Sequence, residues 1–284
     1  HHRSGTTWLA NQLSAHPDIA AVKHPEHRGV HESVFFSHIY SRFGSLRDVN
    51  NFVSFVEVFG ASDYAQLCGA SKRFLYSLYP ESYEGVFRQV MDRFAQEKGC
   101  RYWLEKSPHH TTEVSKINEM YPDATFVGII RNPADVAASA LRMAEISPIA
   151  FSLRKFALLV RYAWSYTYAK KMLESYAADK KNIYLINYRR FKRNFESEIK
   201  KVEEWLKIEH SNKTLETQYP PNTSFAGEKR QSLSLPSKSF FNVIRALMSI
   251  WPTFAFRVTA YYGGLHQRLP GWFFKLHCKK FGLR

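Results

Sequence analysis

Two continuous apolar runs, each followed by a helix signal, constrain the fold of this chain most strongly. The run ATFVGII (124–130) leads into Asn132 and Pro133, which favour the N-cap and the first turn of a helix. The run NIYLIN (182–187) leads into an amphipathic stretch over 195–208. Such runs are typical of strands covered by helices on both faces. Their alternation predicts an α/β fold, a three-layer sandwich with a central, mostly parallel sheet.

Further helices and one further strand are predicted by the same apolar spacing. The helices cover 6–16, 81–98, 112–121 and 151–178, and a short strand covers 101–105. In open parallel sheets, ligands bind beyond the carboxyl ends of the strands. We therefore expect the functional residues to follow the strands or to precede the helices that come next.

The organisation along the chain suggests one core and one extension. We expect a core over 1–208 and a C-terminal loop and helical extension, packed on that core, over 209–284. A phosphate-binding loop usually follows a strand, whereas here a loop of that kind opens the sequence. We therefore expect the first strand of the sheet to precede residue 1.

The charge balance indicates that a binding partner carries negative charge. The sequence has 40 Lys and Arg against 25 Asp and Glu, a formal net charge of +15, which attracts nucleotides, acidic glycans, phospholipid surfaces or nucleic acid. Nucleic acid is disfavoured because no reader motif is present. The basic, aromatic end of the chain suits either a membrane surface or a helical cap, and we favour the cap. The 3 cysteines lack the spacing of a zinc or redox site and are interpreted as free thiols.

The segment HHRSGTTW (1–8) has the composition of an anion cradle at the start of a helix. Gly5 lets backbone amides approach an anion, Thr6 and Thr7 add hydroxyl donors, and the helix that follows contributes the positive end of its dipole. The GxxxxGK[ST] spacing of a kinase or NTPase loop is absent, which disfavours that class. The segment predicts a phosphate or sulfate site.

A second candidate phosphate ligand set lies in RNPADVAAS (131–139). Arg131 ends the strand over 124–130, and Ser139 lies on the helix that follows. The planar fork of an arginine and a nearby hydroxyl suit one phosphate group.

The pair of motifs resembles the signature of the sulfotransferases that use 3′-phosphoadenosine 5′-phosphosulfate (PAPS). The resemblance implies the sulfotransferase fold, which is like that of the P-loop nucleotide hydrolases. It implies that Arg3, Ser4, Gly5, Thr6 and Thr7 bind the 5′-phosphosulfate, with Arg3 at the bridging oxygen of the leaving group, and that Trp8 lies near the adenine. Arg131 and Ser139 are implied as ligands of the 3′-phosphate.

Two further segments resemble parts of the glycan-modifying members, and the tyrosylprotein members are also similar. EKSPHH (105–110) implies a cleft role for Lys106 near the sulfonate. HESVFF (31–36) resembles the stretch with the catalytic glutamate of heparan N-sulfotransferases, so Glu32 is our preferred general base. Glu26 and the histidines of the same loop (His24, His27, His31) are the alternatives.

The remaining candidates are weaker matches. Lys229 and Arg230 lie in a glycine-containing basic loop of the type that closes the 3′-phosphate or adenine site in relatives. Arg189 stands where relatives have an acidic residue, which leaves the role of the preceding Tyr188 open.

The predicted function is the transfer of a sulfonate group from PAPS to a hydroxyl or amine of an acceptor, with a carbohydrate favoured, and without a metal ion. The alternative is a non-catalytic protein that binds anionic glycans or a membrane surface on a sulfotransferase-like scaffold. We expect a cytoplasmic location; membrane association and the Golgi lumen are both compatible with the sequence.

Overall fold

The strands of the protein are short, and helices make up most of the remainder. The computed structural model describes residues 1–25, 29–147, 152–216, 232–252 and 254–256. The strands are β1 (Ile19–Ala21), β2 (Tyr102–Leu104), β3 (Phe126–Ile130) and β4 (Ile183–Asn187).

The helices include the predicted ones and others that the sequence analysis did not predict. They are α1 (Thr6–Leu13), α2 (Val49–Phe59), α3 (Asp63–Leu67), α4 (Lys72–Ser77), α5 (Tyr83–Glu97), α6 (Val114–Met120), α7 (Pro133–Met143), α8 (Leu153–Asp179), α9 (Tyr188–Arg193), α10 (Phe195–Leu206), α11 (Lys213–Glu216) and α12 (Leu235–Ser249). Short π-helical and 3₁₀ segments cover Phe35–Ile39 and Pro108–Thr112. Within the described ranges, none of the helices has the length and apolar character that crossing a bilayer requires.

Local hydrogen bonds explain where the helices begin and end. The side chain of Asn132 accepts a hydrogen bond from the amide of Ala134 at 2.9 Å, and Pro133 opens α7 as predicted. The helix predicted over 81–98 begins at Tyr83, because the hydroxyl of Ser82 accepts from a first-turn amide and makes Ser82 the cap. The helix predicted over 6–16 ends at Leu13, since the amides of Ala15 and His16 bond to carbonyls three residues back.

The four strands form two parallel pairs. β1 pairs with β2, with Ile19 opposite Tyr102, and β3 pairs with β4, with Phe126 opposite Ile183. Each pair joins strands far apart in sequence with helices in between. The predicted α/β class with parallel strands is confirmed.

A cavity of about 630 Å³ separates the two strand pairs. It is lined by residues 101–107 and 123–129, which contain β2 and β3, and by Leu13 of α1 and Val114 of α6. It also reaches Thr6 at the start of α1 and Lys106 after β2, so it extends to the carboxyl end of β2. The strand expected before residue 1 stays a prediction.

Two apolar cores hold the helices to the strands. The first is aromatic, lies under α2 to α6, and includes five phenylalanines that are at most 1% exposed: Phe35, Phe52, Phe55, Phe59 and Phe87. The second joins α1, β3, β4, α9 and α10 through residues such as Leu9, Ile129 and Ile186. Because α1 is part of the second core, the loop before it is fixed at the carboxyl ends of β3 and β4.

The C-terminal helix α12 packs on α7 and α8. Phe241 is buried at this contact, and the rings of Phe156 and Phe240 meet edge to face with centroids 4.9 Å apart. The helical cap expected for the basic, aromatic end of the chain stays a prediction. The boundary at residue 208 stays a prediction, and most of the segment after α12 lies outside the described residues.

Candidate active site

The loop before α1 has two residues in the left-handed region of backbone conformation. The φ angles of Arg3 and Gly5 are +64° and +98°. A Cβ atom added to Gly5 would lie 2.6 Å from the ring of Tyr188. Tyr188 is buried and begins α9, directly after β4. Gly5 is therefore required twice, by its conformation and by the ring beneath it.

Buried polar atoms at this loop that make no hydrogen bond to any of the described residues include Nε2 of His2. Two more are the hydroxyl oxygen of Ser4, a residue that is 1% exposed, and Nε of Arg131. Buried polar groups in folded proteins nearly always have partners, so an unsatisfied one needs an explanation. Both groups can donate to an oxygen-rich ligand, which suits a bound phosphate or sulfate.

The two predicted phosphate motifs contact each other directly. Arg3 donates from Nε to the hydroxyl of Ser139 at 3.1 Å, and Arg131 donates from Nη1 to the carbonyl of Arg3 at 3.1 Å. The guanidinium of Arg131 lies over the ring of Tyr188, 4.4 Å from its centroid. The hydroxyl of Tyr166, on α8, donates to the carbonyl of Arg131 at 2.6 Å. Residues more than 120 positions apart thus form one cationic surface.

This cationic surface favours an anion. Burial lowers the pKa of Arg3, and the positive charge of Arg131 lowers it further. The same positive field that disfavours the charged form of Arg3 stabilises a negative group of matching shape. A phosphate dianion would offset the repulsion between the two guanidinium groups and would accept their remaining N–H donors.

A second cluster lies at the other end of the same loop. Lys106 follows β2 and is 10% exposed, and its Nζ lies 2.5 Å from Oε1 of Glu32. The same Nζ donates to the hydroxyl of Thr7, at the start of α1, at 3.5 Å. The structure therefore brings together Thr7, Lys106 and the preferred base, which are far apart in sequence.

The alternatives to Glu32 as the base have different surroundings. The rings of His24 and His31 contact each other with centroids 5.5 Å apart, and His31 stacks on Tyr64. Glu26 and His27 lie outside the described residues, as do Lys229 and Arg230 of the late basic loop. Among the candidates that the structure describes, Glu32 is the one in contact with Lys106.

The side chains of Arg3 and Trp8 lie in places that the sequence did not indicate. The guanidinium of Arg3 lies beside Ser139, with the second motif, so its action at a bridging oxygen stays a prediction. The indole of Trp8 is 8% exposed and packs on Phe191 and Phe195. Its contact with an adenine also stays a prediction.

The role of Tyr188 could not be predicted from the sequence. Its ring supports both Gly5 and Arg131. The available signals were its position after a strand and its place in a motif of the relatives, and neither indicated this contact. No cluster of three or more His, Cys, Asp or Glu side chains suited to a metal ion occurs in the described part of the chain.

The fold and site together define an α/β protein with a glycine-containing loop before α1 that contacts an arginine–serine pair. A model described as the sulfotransferase family matches residues 1–212. The chain belongs to the sulfotransferase family.

Individual proteins are similar to this chain at low identity. The nodulation protein NoeE of Sinorhizobium fredii (strain NBRC 101917 / NGR234) is 27% identical over 144 residues, which are 48% of this chain and 28% of NoeE. The chain thus matches less than a third of that relative's length. The sulfotransferase domain from the curacin biosynthetic pathway shares the fold, with a TM-score of 0.50 at 14% identity over 92% of this chain and 94% of that domain. The sulfotransferase STF9 from Mycobacterium avium gives a TM-score of 0.47 at 13% identity, over 88% of this chain and 74% of that one.

Proposed function

We propose that this protein transfers the sulfonate group of PAPS to a hydroxyl or amine of an acceptor, and that the acceptor is a carbohydrate. The observation that carries the proposal is the pair of clusters at the two ends of one loop. Arg3, Arg131 and Ser139 form one cluster, and Thr7, Lys106 and Glu32 form the other. PAPS has a 3′-phosphate at one end and a 5′-phosphosulfate at the other, so it offers an anionic group to each of the two clusters.

At the first cluster, the residues bind and select the donor. Arg131 and Ser139 would hold the 3′-phosphate, and the unsatisfied hydroxyl of Ser4 would donate to a donor oxygen. The 3′-phosphate distinguishes PAPS from adenylyl nucleotides that lack it. Selectivity would therefore come from charge-assisted hydrogen bonds that only a 3′-phosphate completes.

At the second cluster, the residues move a proton and compensate charge. Glu32 would accept the proton of the acceptor hydroxyl while the hydroxyl oxygen forms its bond to sulfur. Lys106 would donate to the phosphate oxygen whose bond to sulfur breaks, which leaves adenosine 3′,5′-bisphosphate as the second product. The proposal is supported by the contact between Lys106 and Glu32, which brings the cation and the base into one cleft. In an in-line transfer, Glu32 would act at the attacking oxygen and Lys106 at the leaving oxygen on the opposite side of the sulfur.

The proposal of a carbohydrate acceptor is supported by the positive charge of the chain. A formal net charge of +15 attracts an acceptor that already carries negative groups, as many glycans do. A screen with radiolabelled PAPS against glycans, lipids and small alcohols tests this part. Labelling of lipids or small alcohols in place of glycans would overturn the choice of acceptor.

Calorimetry with adenosine 3′,5′-bisphosphate tests donor binding. We expect binding at least about tenfold tighter than that of adenosine 5′-monophosphate, since one charge-assisted contact contributes about 1.5–3 kcal/mol. S139A should reduce this preference. The control S249A, at the exposed end of α12, should not. If the wild-type protein binds both nucleotides equally, the proposed function is wrong, and a protein that binds glycans without transfer becomes the better interpretation.

A further inference from the structure

The glutamate of EKSPHH (105–110) is buried beside the candidate active site, and the chemistry proposed above does not use it. Glu105 is 11% exposed at its side chain and accepts hydrogen bonds from Ser33 Oγ at 2.7 Å, Ser107 Oγ at 2.6 Å and His110 Nδ1 at 2.8 Å. Burial alone raises its pKa, but His110 and the two hydroxyls outweigh that effect and lower the pKa to about 2. Glu105 is therefore an ionised acceptor at the centre of a closed network.

The network continues into the backbone of the segment that follows Glu32. The amide of Val34 donates to Ser107 Oγ at 3.0 Å, and the amide of Phe36 donates to His110 Nε2 at 3.2 Å. The amide of Phe35 donates to Ser33 Oγ at 3.2 Å, and the amide of Ser33 to Glu105 at 3.4 Å. Four consecutive amides thus end on Glu105 or on a side chain bonded to it.

One residue of this segment has a conformation that needs outside support. Val34 is β-branched and has a φ angle of +46°, in the left-handed region. Such a conformation costs about 1–3 kcal/mol and persists only where surrounding contacts impose it. The amide bond of Val34 to Ser107 is one such contact.

The side chains of 105–107 divide between the network and the cleft. Glu105 and Ser107 bond to the segment at 33–36, whereas Lys106 between them contacts Glu32 and Thr7. Opposite directions for successive side chains are what an extended backbone produces. The same few residues therefore hold the loop on one side and present the ammonium group on the other.

We propose that Glu105, Ser107 and His110 are positioning residues that hold the segment 33–36, and so fix Glu32 against Lys106. The inference rests on the proposed function, since it gives these residues a part in sulfonate transfer. None of the three needs to touch the donor or the acceptor. Their effect acts through the position of the base.

The variant E105Q tests the network because a glutamine cannot replace all of its bonds. His110 Nε2 accepts from the amide of Phe36, so the ring proton lies on Nδ1 and is donated to Glu105. The new amide group would place an N–H₂ donor opposite one of the groups that now donate. Either that contact is lost, or the ring turns and releases Phe36.

The chain offers a matched control in a second buried glutamate. Glu203 is 1% exposed at its side chain and accepts from His210 Nδ1 and from Thr214 Oγ1, so it has the same kinds of partner. It lies on α10, and its partners His210 and Thr214 belong to the segment that follows α10. E203Q therefore reports the general cost of changing a buried Glu–His–hydroxyl network.

Amide hydrogen exchange is the first measurement, because it does not depend on activity. We expect the amides of 33–36 to exchange at least about tenfold faster in E105Q than in wild type, which is about 1.4 kcal/mol of lost protection. They should be unchanged in E203Q. Wild-type protection of these amides in E105Q would overturn the proposal. If E105Q does not fold, S107A removes the acceptor of the Val34 amide without changing charge and should show the same local loss.

Turnover is the second measurement and separates positioning from stability. With folded protein, we expect kcat to fall on the order of 10²-fold in E105Q, as for a misplaced catalytic group, with the affinity for adenosine 3′,5′-bisphosphate kept within about twofold. An unchanged kcat would contradict the positioning role. Failure of the wild-type protein to bind the bisphosphate would instead overturn the proposed function and would leave the exchange result interpretable.

Discussion

The variant G5A tests whether the loop before α1 is held in the shape that the structure gives it. Gly5 has a φ angle of +98°, and its added Cβ would lie 2.6 and 2.7 Å from two ring carbons of Tyr188. Tyr188 is 7% exposed, and its ring also supports Arg131, so it has little room to move. Alanine at this position therefore meets both a backbone penalty and a steric one.

The two penalties can be assigned rough magnitudes. A left-handed conformation costs a residue with a Cβ about 1–2 kcal/mol, and overpacking a buried contact costs about 1–3 kcal/mol. We expect G5A to lower the free energy of unfolding by about 2–5 kcal/mol in total. The loop should relax by moving away from Tyr188, which would also weaken binding of adenosine 3′,5′-bisphosphate.

The control is a glycine with the same backbone requirement and open space around it. Gly99 follows α5 with a φ angle of +67°, and a Cβ added there has nothing within 4 Å. G99A should therefore cost about 1–2 kcal/mol, the backbone part alone, and should leave nucleotide binding unchanged. Urea denaturation of the three proteins gives the comparison. If G5A is no less stable than G99A, the packing of Tyr188 under the loop is refuted.

Three further changes test the site. E32Q should lower kcat by about 10²–10⁴-fold while bisphosphate binding persists. The control E57Q, which removes an exposed carboxylate paired with a lysine, should leave kcat unchanged. A fully active E32Q would exclude Glu32 as the base. R131K should lose the preference for a 3′-phosphate, since a lysine cannot supply the planar fork. A preference as large as that of the wild-type protein in nucleotide titrations would contradict this. Because the pKa of Glu105 is lowered from 4.5 to about 2, its ionised form stabilises the protein above about pH 4.5, and about 3 kcal/mol is lost as the pH falls towards 2. Denaturation of E105Q should show a flatter dependence between these pH values, and an equal slope would argue against the lowered pKa.

The sequence was sufficient to predict the elements that local signals define. The strand over 124–130 and the helix after it were predicted from an apolar run, an Asn N-cap and a first-turn proline, and β3 and α7 confirm both. These signals depend on residues that are neighbours along the chain. The helix boundaries differed by a few residues, where a hydroxyl cap such as Ser82 or a tight turn after α1 decided the end.

The contacts within the site could be predicted only in part. Motif resemblance indicated that 3–8, 131–139 and Lys106 belong to one site, but not that Arg3 would bond to Ser139 or that Trp8 would enter the core. The support from Tyr188 depends on where β4 ends relative to the loop. Such a placement is set by tertiary packing, and no local pattern in the sequence carries it.

Arg131 shows how the same residue serves the fold and the site. Its guanidinium has five N–H donors. Nη1 holds the carbonyl of Arg3, which has a left-handed backbone, while the buried Nε has no partner among the described residues. One part of the group therefore shapes the loop before a ligand arrives, and another part is left for the ligand. It follows that R131K should lower stability and donor affinity together, because a lysine ammonium cannot reach both positions in one plane. S139A should lower affinity with little loss of stability, since the bond that it removes ends on the side chain of Arg3 rather than on its backbone.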